Sequence, residues 1–174
     1  DKVYVIDCDI SKSMKTVEFA KTFPERHINV GIAEQNAASL AAGLATMGKI
    51  PFVSTYAVFG SMRMCEQVRT SICYSKINVK IACSHGGVTP GNDGVTHQAI
   101  EDLGIMRSIP NMVVIMGADY HATKKLIRKA VDVHAMIRPG DSGGSSDIIS
   151  EGCRLDVCPL CKTDVDWHFN LAVS

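Results

Sequence analysis

The sequence lacks an excess of charge of either sign. Its 18 Lys and Arg residues balance 18 Asp and Glu, for a formal net charge of +0. Nucleic-acid binding draws on a basic stripe or a basic excess, so that class of partner is not expected. Long apolar runs are missing too. None approaches the ~18 residues of a membrane-spanning helix, so no membrane partner is expected. The opening DKVYVIDCDI carries neither the charged region nor the long apolar core of a secretory signal. Three signatures of nucleotide and hydrolase chemistry are absent as well: the G-x-x-x-x-G-K-[ST] phosphate loop, a G-x-G-x-x-G after a strand, and the G-x-S-x-G elbow. The seven cysteines do not read as a disulfide framework. Their number is odd, and Cys8, Cys65, Cys73 and Cys83 sit in apolar or helical context, which predicts a reduced, cytoplasmic chain.

What remains is the composition of a globular domain: 174 residues, 46 % hydrophobic and 21 % charged. Up to about residue 131 the pattern is regular. VYVIDC at 3–8, INVGI at 28–32, PFVSTY at 51–56, NVKIAC at 78–83, MVVIM at 112–116 and HAMIR at 134–138 read as strands. Helices are predicted at 34–47, 59–74, 98–107 and 121–131. In the first of these helices Ala38, Ala41, Ala42 and Ala45 share one side. Such a face suits very close packing against a neighbour. Strands alternating with helices predict an α/β domain: a three-layer sandwich around a mostly parallel sheet. Ligands of such sheets bind beyond the carboxyl ends of the strands. The segments 9–13, 33–34, 57–59 and 84–97 should therefore share one rim. After Arg138 the character changes. PGDSGGSSD is linker-like, and the rest shows no clear period. The chain thus divides into a domain at 1–138 and an unmatched tail at 139–174, open to reading as a loosely folded extension, a frame change or a truncated product.

Three groups of residues could carry chemistry. Glu34 lies between an apolar strand and a small-residue helix, where a carboxylate is partly withdrawn from water. Desolvation suits a carboxyl group to proton exchange; the plainer alternative is an acid that favours the first turn of its helix. The segment 84–97 sets His85, Asp93 and His97 on a glycine-rich backbone. Two imidazoles and a carboxylate at a rim suit hydrogen bonding to a polyhydroxylated substrate and proton shuttling. The alternative is a surface loop with ordinary histidines, and the spacing matches no closed zinc pattern. Cys153, Cys158, Cys161 and His168 form a possible zinc set in which only Cys158 and Cys161 have the C-x2-C spacing. Free thiols in the tail are the alternative.

INVGIAEQNAASLAAGLATMGKIPFVSTYAVF, SHGGVTPGNDGVTHQAIEDL and MRSIPNMVV together resemble the pyrimidine-binding domain of the transketolase family. VIDCDISKS looks like the first strand and loop of that domain. The pattern resembles the separately encoded C-terminal half of bacterial transketolases. The resemblance implies a thiamine diphosphate-binding fold of the pyrimidine-binding type. It also implies transfer of a two-carbon ketol unit between sugar phosphates in the pentose phosphate pathway. In such a site Glu34 would bond N1′ of the aminopyrimidine and favour its imino tautomer. Tyr56 and Phe59 would enclose the ring, with Asp9 near the cofactor. His85 and His97 would contact the sugar near the reacting carbon, Asp93 would hold a hydroxyl, and Ser13 and Arg138 would grip the substrate phosphate. In that family magnesium and the diphosphate are held by another domain, through a GDG motif followed by Asn. No counterpart is present in these residues, so the resemblance implies a partner subunit, a homo- or heterodimer, and no turnover by this chain alone. Two other readings stay open. Deoxyxylulose-phosphate synthases share G-x-x-E and DG-x-TH but differ around STYAVF, and a non-catalytic binding module with a zinc-stabilised tail would use Cys158 and Cys161.

Overall fold

In the computed structural model residues 2–132 and 135–139 are described. Among these residues six strands form one sheet: β1 (Val3–Asp7), β2 (His27–Asn29), β3 (Ile50–Tyr56), β4 (Lys80–Ser84), β5 (Val113–Gly117) and β6 (Ala135–Pro139), in the order β2-β1-β3-β4-β6-β5. Every pairing is parallel. The central strands β3 and β4 are buried along almost their whole length. This is why they read as continuous apolar runs rather than as alternations.

Side chains alternate across the sheet and build two cores. Ile6, Val53, Ile81 and Met136 face one side. They pack there with α1 (Ser11–Met14), α3 (Glu34–Thr46), α4 (Ala57–Met62) and α6 (Asp102–Arg107). Val5, Phe52, Ala82 and Ile137 face the other. That side is covered by Phe19 of α2 (Val17–Thr22) and Ile127 of α7 (Tyr120–Lys129). The result is the three-layer α/β sandwich the strand–helix alternation predicts.

The structure departs from the sequence reading in four places. The short helices α1 and α2 carry no sequence signal, because four and six residues are too few to show a period. The second strand begins and ends earlier than 28–32, since Gly31 takes a left-handed φ of 74°. The long helix expected at 59–74 begins at Ala57, directly off β3. It then breaks into α4, α5 (Cys65–Gln67) and a π-helical turn at Val68–Cys73. Ser61 Oγ bonds back to the carbonyls of Ala57 and Val58, a habit of hydroxyl side chains that bends helices. Finally, α6 begins only at Asp102. The residues before it run extended enough for Ala99 to bridge Gly87.

The alanine face of α3 packs closely, as the small residues predict. Ala38 and Ala41 are wholly buried and Ala42 nearly so, inside the domain's own core. The small side chains let α3 lie close on the sheet. The helix stops at Gly48, whose φ of 75° allows the Gly48 and Lys49 amides to return to Ala45 and Leu44.

Gly60 fixes the seat of α4. A Cβ there would stand 2.6 Å from Cys83 Sγ and 3.2 Å from Thr55 Cγ2. Replacement by Ala should cost roughly 1–3 kcal/mol through overpacking. At Gly43, on the open side of α3, a Cβ meets nothing within 4 Å, and Ala there should stabilise by about 0.5–1 kcal/mol. Denaturant melts of the two variants check the opposite signs. Equal effects would contradict the close seating of α4.

Candidate active site

The carboxyl ends of β1, β3 and β4 stand side by side, with Asp7 registered to Ser54 and Tyr56 to Ser84. The loops and helices leaving these strands therefore meet at one rim. Tyr56 ends β3, and the chain turns straight into α4. Phe59 lies three residues on, and the two rings stack with centroids 6.1 Å apart at 30°. After β4, His85 adopts a left-handed φ of 54°. That conformation is costly for a residue with a Cβ, and it lays the imidazole against Tyr56 at 4.2 Å. His97 closes the group, edge-on to Tyr56 at 5.9 Å and to Phe59 at 5.2 Å. Two aromatic rings and two imidazoles thus make one wall. The residues come from the end of β3, the start of α4 and the loop after β4.

Polar contacts lock the wall from below. The Tyr56 hydroxyl donates to Ser13 Oγ at 2.7 Å, joining α1 to β3. Ser84 Oγ lies 2.7 Å from His85 Nδ1. The short helix α1, which carries Ser13, is pinned in turn by Asp7, which is fully buried. Asp7 accepts hydrogen bonds from the Ile10 amide and the Thr16 hydroxyl. Asp9 is exposed at the β1 end of the rim, where the Asn29 side-chain amide donates to it at 2.9 Å. Its backbone too is left-handed, with φ 65°.

Glu34 opens α3 and is 4 % exposed. Both sequence descriptions of it hold: it is the acid of the first turn, and it is withdrawn from water. Its partner, Arg63, is new. Arg63 Nη1 lies 3.2 Å and 3.3 Å from the two carboxylate oxygens. The guanidinium carbon stands 3.9 Å from the Phe59 ring centroid. A basic residue on a nominal surface turn gives no signal in sequence; only the seating of α4 brings it over Phe59 to Glu34. Cys8 lies in the same field. Burial, then the charges of Glu34 and Asp7, push its thiol up to about 12. Cys8 is thus a packed, protonated thiol rather than a nucleophile.

Of the sequence candidates, the structure gathers Ser13, Tyr56, Phe59, His85 and His97 by direct contact, and Glu34 joins through Arg63 and Phe59. Asp93 is exposed in a 3-10 turn (Gly91–Asp93), close enough for its charge to act on His85. Arg138 stands at the end of β6, opposite Met116. The phosphate grip expected of its side chain falls outside the described residues, as does the zinc set of Cys153, Cys158, Cys161 and His168. Among the described residues no three His, Cys, Asp or Glu side chains group to hold a metal ion.

Burial lowers the His85 pKa below the usual 6.5, Asp93 opposes that shift, and the charge of His97 adds to it. Near neutral pH the imidazole is therefore uncharged, free to accept a proton or a hydrogen bond. Protonation also favours the unfolded chain, so the stability contributed by neutral His85 is full above pH 6.5 and falls as pH drops through the folded pKa. An NMR titration should give His85 a midpoint below 6.5, and Asp93→Asn should lower it further. A midpoint that rises in Asp93→Asn would contradict the assigned geometry.

Residues 1–138 match the family described as transketolase, pyrimidine binding domain. A protein of Methanocaldococcus jannaschii whose name places it as a transketolase C-terminal section is 52 % identical over 128 residues, or 74 % of this chain and 40 % of that protein. A 1-deoxy-D-xylulose-5-phosphate synthase of Listeria welshimeri is 40 % identical over 135 residues, 78 % of this chain and 21 % of the enzyme. Among solved structures, a split-gene transketolase described as an inactive beta4 tetramer is 53 % identical. It superposes with a TM-score of 0.68 over 79 % of this chain and 44 % of its own. The chain thus spans less than half the length of these relatives. A buried acid opening α3, the aromatic wall and the two imidazoles stand where the sequence match runs, and the chain belongs to the transketolase pyrimidine-binding domain family.

Proposed function

We propose that this chain is the pyrimidine-binding part of a thiamine diphosphate-dependent transketolase. A partner subunit would carry the diphosphate-binding domain and its magnesium. The observation that carries the reading is the buried Glu34 carboxylate beside the Tyr56–Phe59 ring pair. A flat, basic heterocycle needs this pairing of an acid at its edge and an aromatic face beside it. The chemistry of the donor set fits the group. When bound, thiamine diphosphate supplies an electron sink for the two-carbon ketol unit.

The chain's own residues then have distinct tasks. Glu34 would hydrogen-bond N1′ of the pyrimidine, and its burial keeps water from competing for that contact. Tyr56 and Phe59 orient the ring, with Tyr56 itself held by Ser13. Neutral His85 accepts the proton of a sugar hydroxyl, and His97 sits beside it on the same wall. Asp93, at the mouth, is placed to bind a further hydroxyl. Sugar phosphates as substrates, a cytoplasmic setting, a dimer with the partner and no turnover by this chain alone complete the proposal. The split-gene relative described as an inactive beta4 tetramer supports that last point only by analogy. Among the described residues, no helix is long and apolar enough to cross a membrane.

A second reading, a deoxyxylulose-phosphate synthase component, is favoured by the 40 % identity to such an enzyme. It uses the same Glu34. A complex reconstituted with a diphosphate-domain partner separates the two readings: a ketose phosphate with an aldose phosphate against pyruvate with glyceraldehyde phosphate. The first pair should turn over. Glu34→Gln should reduce that rate by a factor of roughly 10²–10⁴, the usual share of a positioned proton-transfer group, while leaving the complex assembled by size exclusion. Activity retained in Glu34→Gln would remove the catalytic assignment.

A further inference from the structure

Arg63 satisfies two requirements at once. Its guanidinium is a flat, delocalised group stacked at 3.9 Å over Phe59, and the same group donates to both oxygens of Glu34 at 3.2 Å and 3.3 Å. These are the two contacts that the proposed function assigns to the aminopyrimidine: a ring face on Phe59 and a polar edge on Glu34. We infer that Arg63 is a placeholder in the pyrimidine subsite, holding the Glu34 carboxylate in place while the subsite lacks its ring and giving way when the ring enters. This inference rests on the reading of Glu34 and Phe59 as cofactor contacts.

The geometry favours displacement over a permanent bridge. Glu34 is fixed, with 5 % of its side chain exposed, whereas 47 % of the Arg63 side chain is exposed. Arg63 is the C-cap of α4, where the helix gives way to the break before α5. Its long stem can therefore swing toward solvent without disturbing a helix interior. A buried carboxylate left without a counter-charge is strongly unfavourable, so an empty subsite needs such a partner. The planar guanidinium suits the task better than an ammonium, because it can stack and donate in one pose. The competition is self-limiting. A half-exposed ion pair and a cation–π contact of this kind bias the site by a factor of roughly three to thirty, which a bound cofactor overcomes through its other contacts.

The test compares Arg63→Ala and Arg63→Lys with wild type in the complex with a diphosphate-domain partner. Calorimetric titration with thiamine diphosphate and magnesium reads the affinity. Removing the placeholder should tighten cofactor binding roughly three- to thirty-fold in Arg63→Ala, with Arg63→Lys between it and wild type. In the unloaded chain Arg63→Ala should lower the melting temperature, and adding Glu34→Gln should recover most of that loss. Single effects that merely add would show that the two side chains are not coupled and would overturn the inference. Affinity equal to or weaker than wild type in Arg63→Ala would overturn it as well, while leaving the functional reading intact. If wild type itself failed to bind the cofactor, the functional reading and this inference would fall together.

Discussion

A carboxylate taken out of water at the mouth of a parallel sheet is the constraint around which the rest of this domain is arranged. Burying Glu34 requires a helix that begins at the strand ends, a neighbour that answers the charge, and walls that exclude solvent. Each is supplied by a different stretch of chain. The alanine-rich α3 lies close enough on the sheet to bring its first residue into the rim. The turn at α4 delivers Phe59 and Arg63 together. The loop after β4 folds two imidazoles onto the Tyr56–Phe59 pair. Displacing any of these elements would loosen the carboxylate and the ring wall at once.

Strain and close packing sit at the same place. Asp9 and His85, each just past the end of a strand, both take left-handed backbone angles. Such conformations persist only where the surroundings over-determine them. Here the Asn29 amide, the Ser84 hydroxyl and the Tyr56 ring do so. The buried Asp7 anchors the first of these loops from within the core. The second rim loop is tied back through the Gly87–Ala99 bridge. The site is thus part of the sheet's own end rather than an appendage to it.

The strands and the long helix α3 were legible in sequence because burial on both faces leaves apolar runs, and alanine at helical spacing leaves little else to form. Glu34, His85 and His97 are legible because they follow strand ends or sit in a glycine-rich loop, where chemistry collects; Tyr56 and Phe59 are marked only by the family resemblance. Arg63 and Asp7 are not legible. One is a basic residue whose role depends on the tilt of a broken helix; the other is an acid inside an apolar strand. Neither carries a local pattern. The break at Met64 and the π turn after it leave no mark in the apolar periodicity, and neither does the close seating of α4 on β3 and β4 through Gly60. The alanine face is legible as a close-packing face, but small residues at helical spacing do not record what they pack against.

The central claim is that Glu34 meets the pyrimidine ring at its N1′ edge. The most direct test is the ¹⁵N resonance of N1′ in labelled thiamine diphosphate bound to the reconstituted complex. That resonance should move from the free-cofactor position toward that of a protonated or strongly hydrogen-bonded nitrogen. A bound cofactor whose N1′ resonance stays at the free position would contradict it.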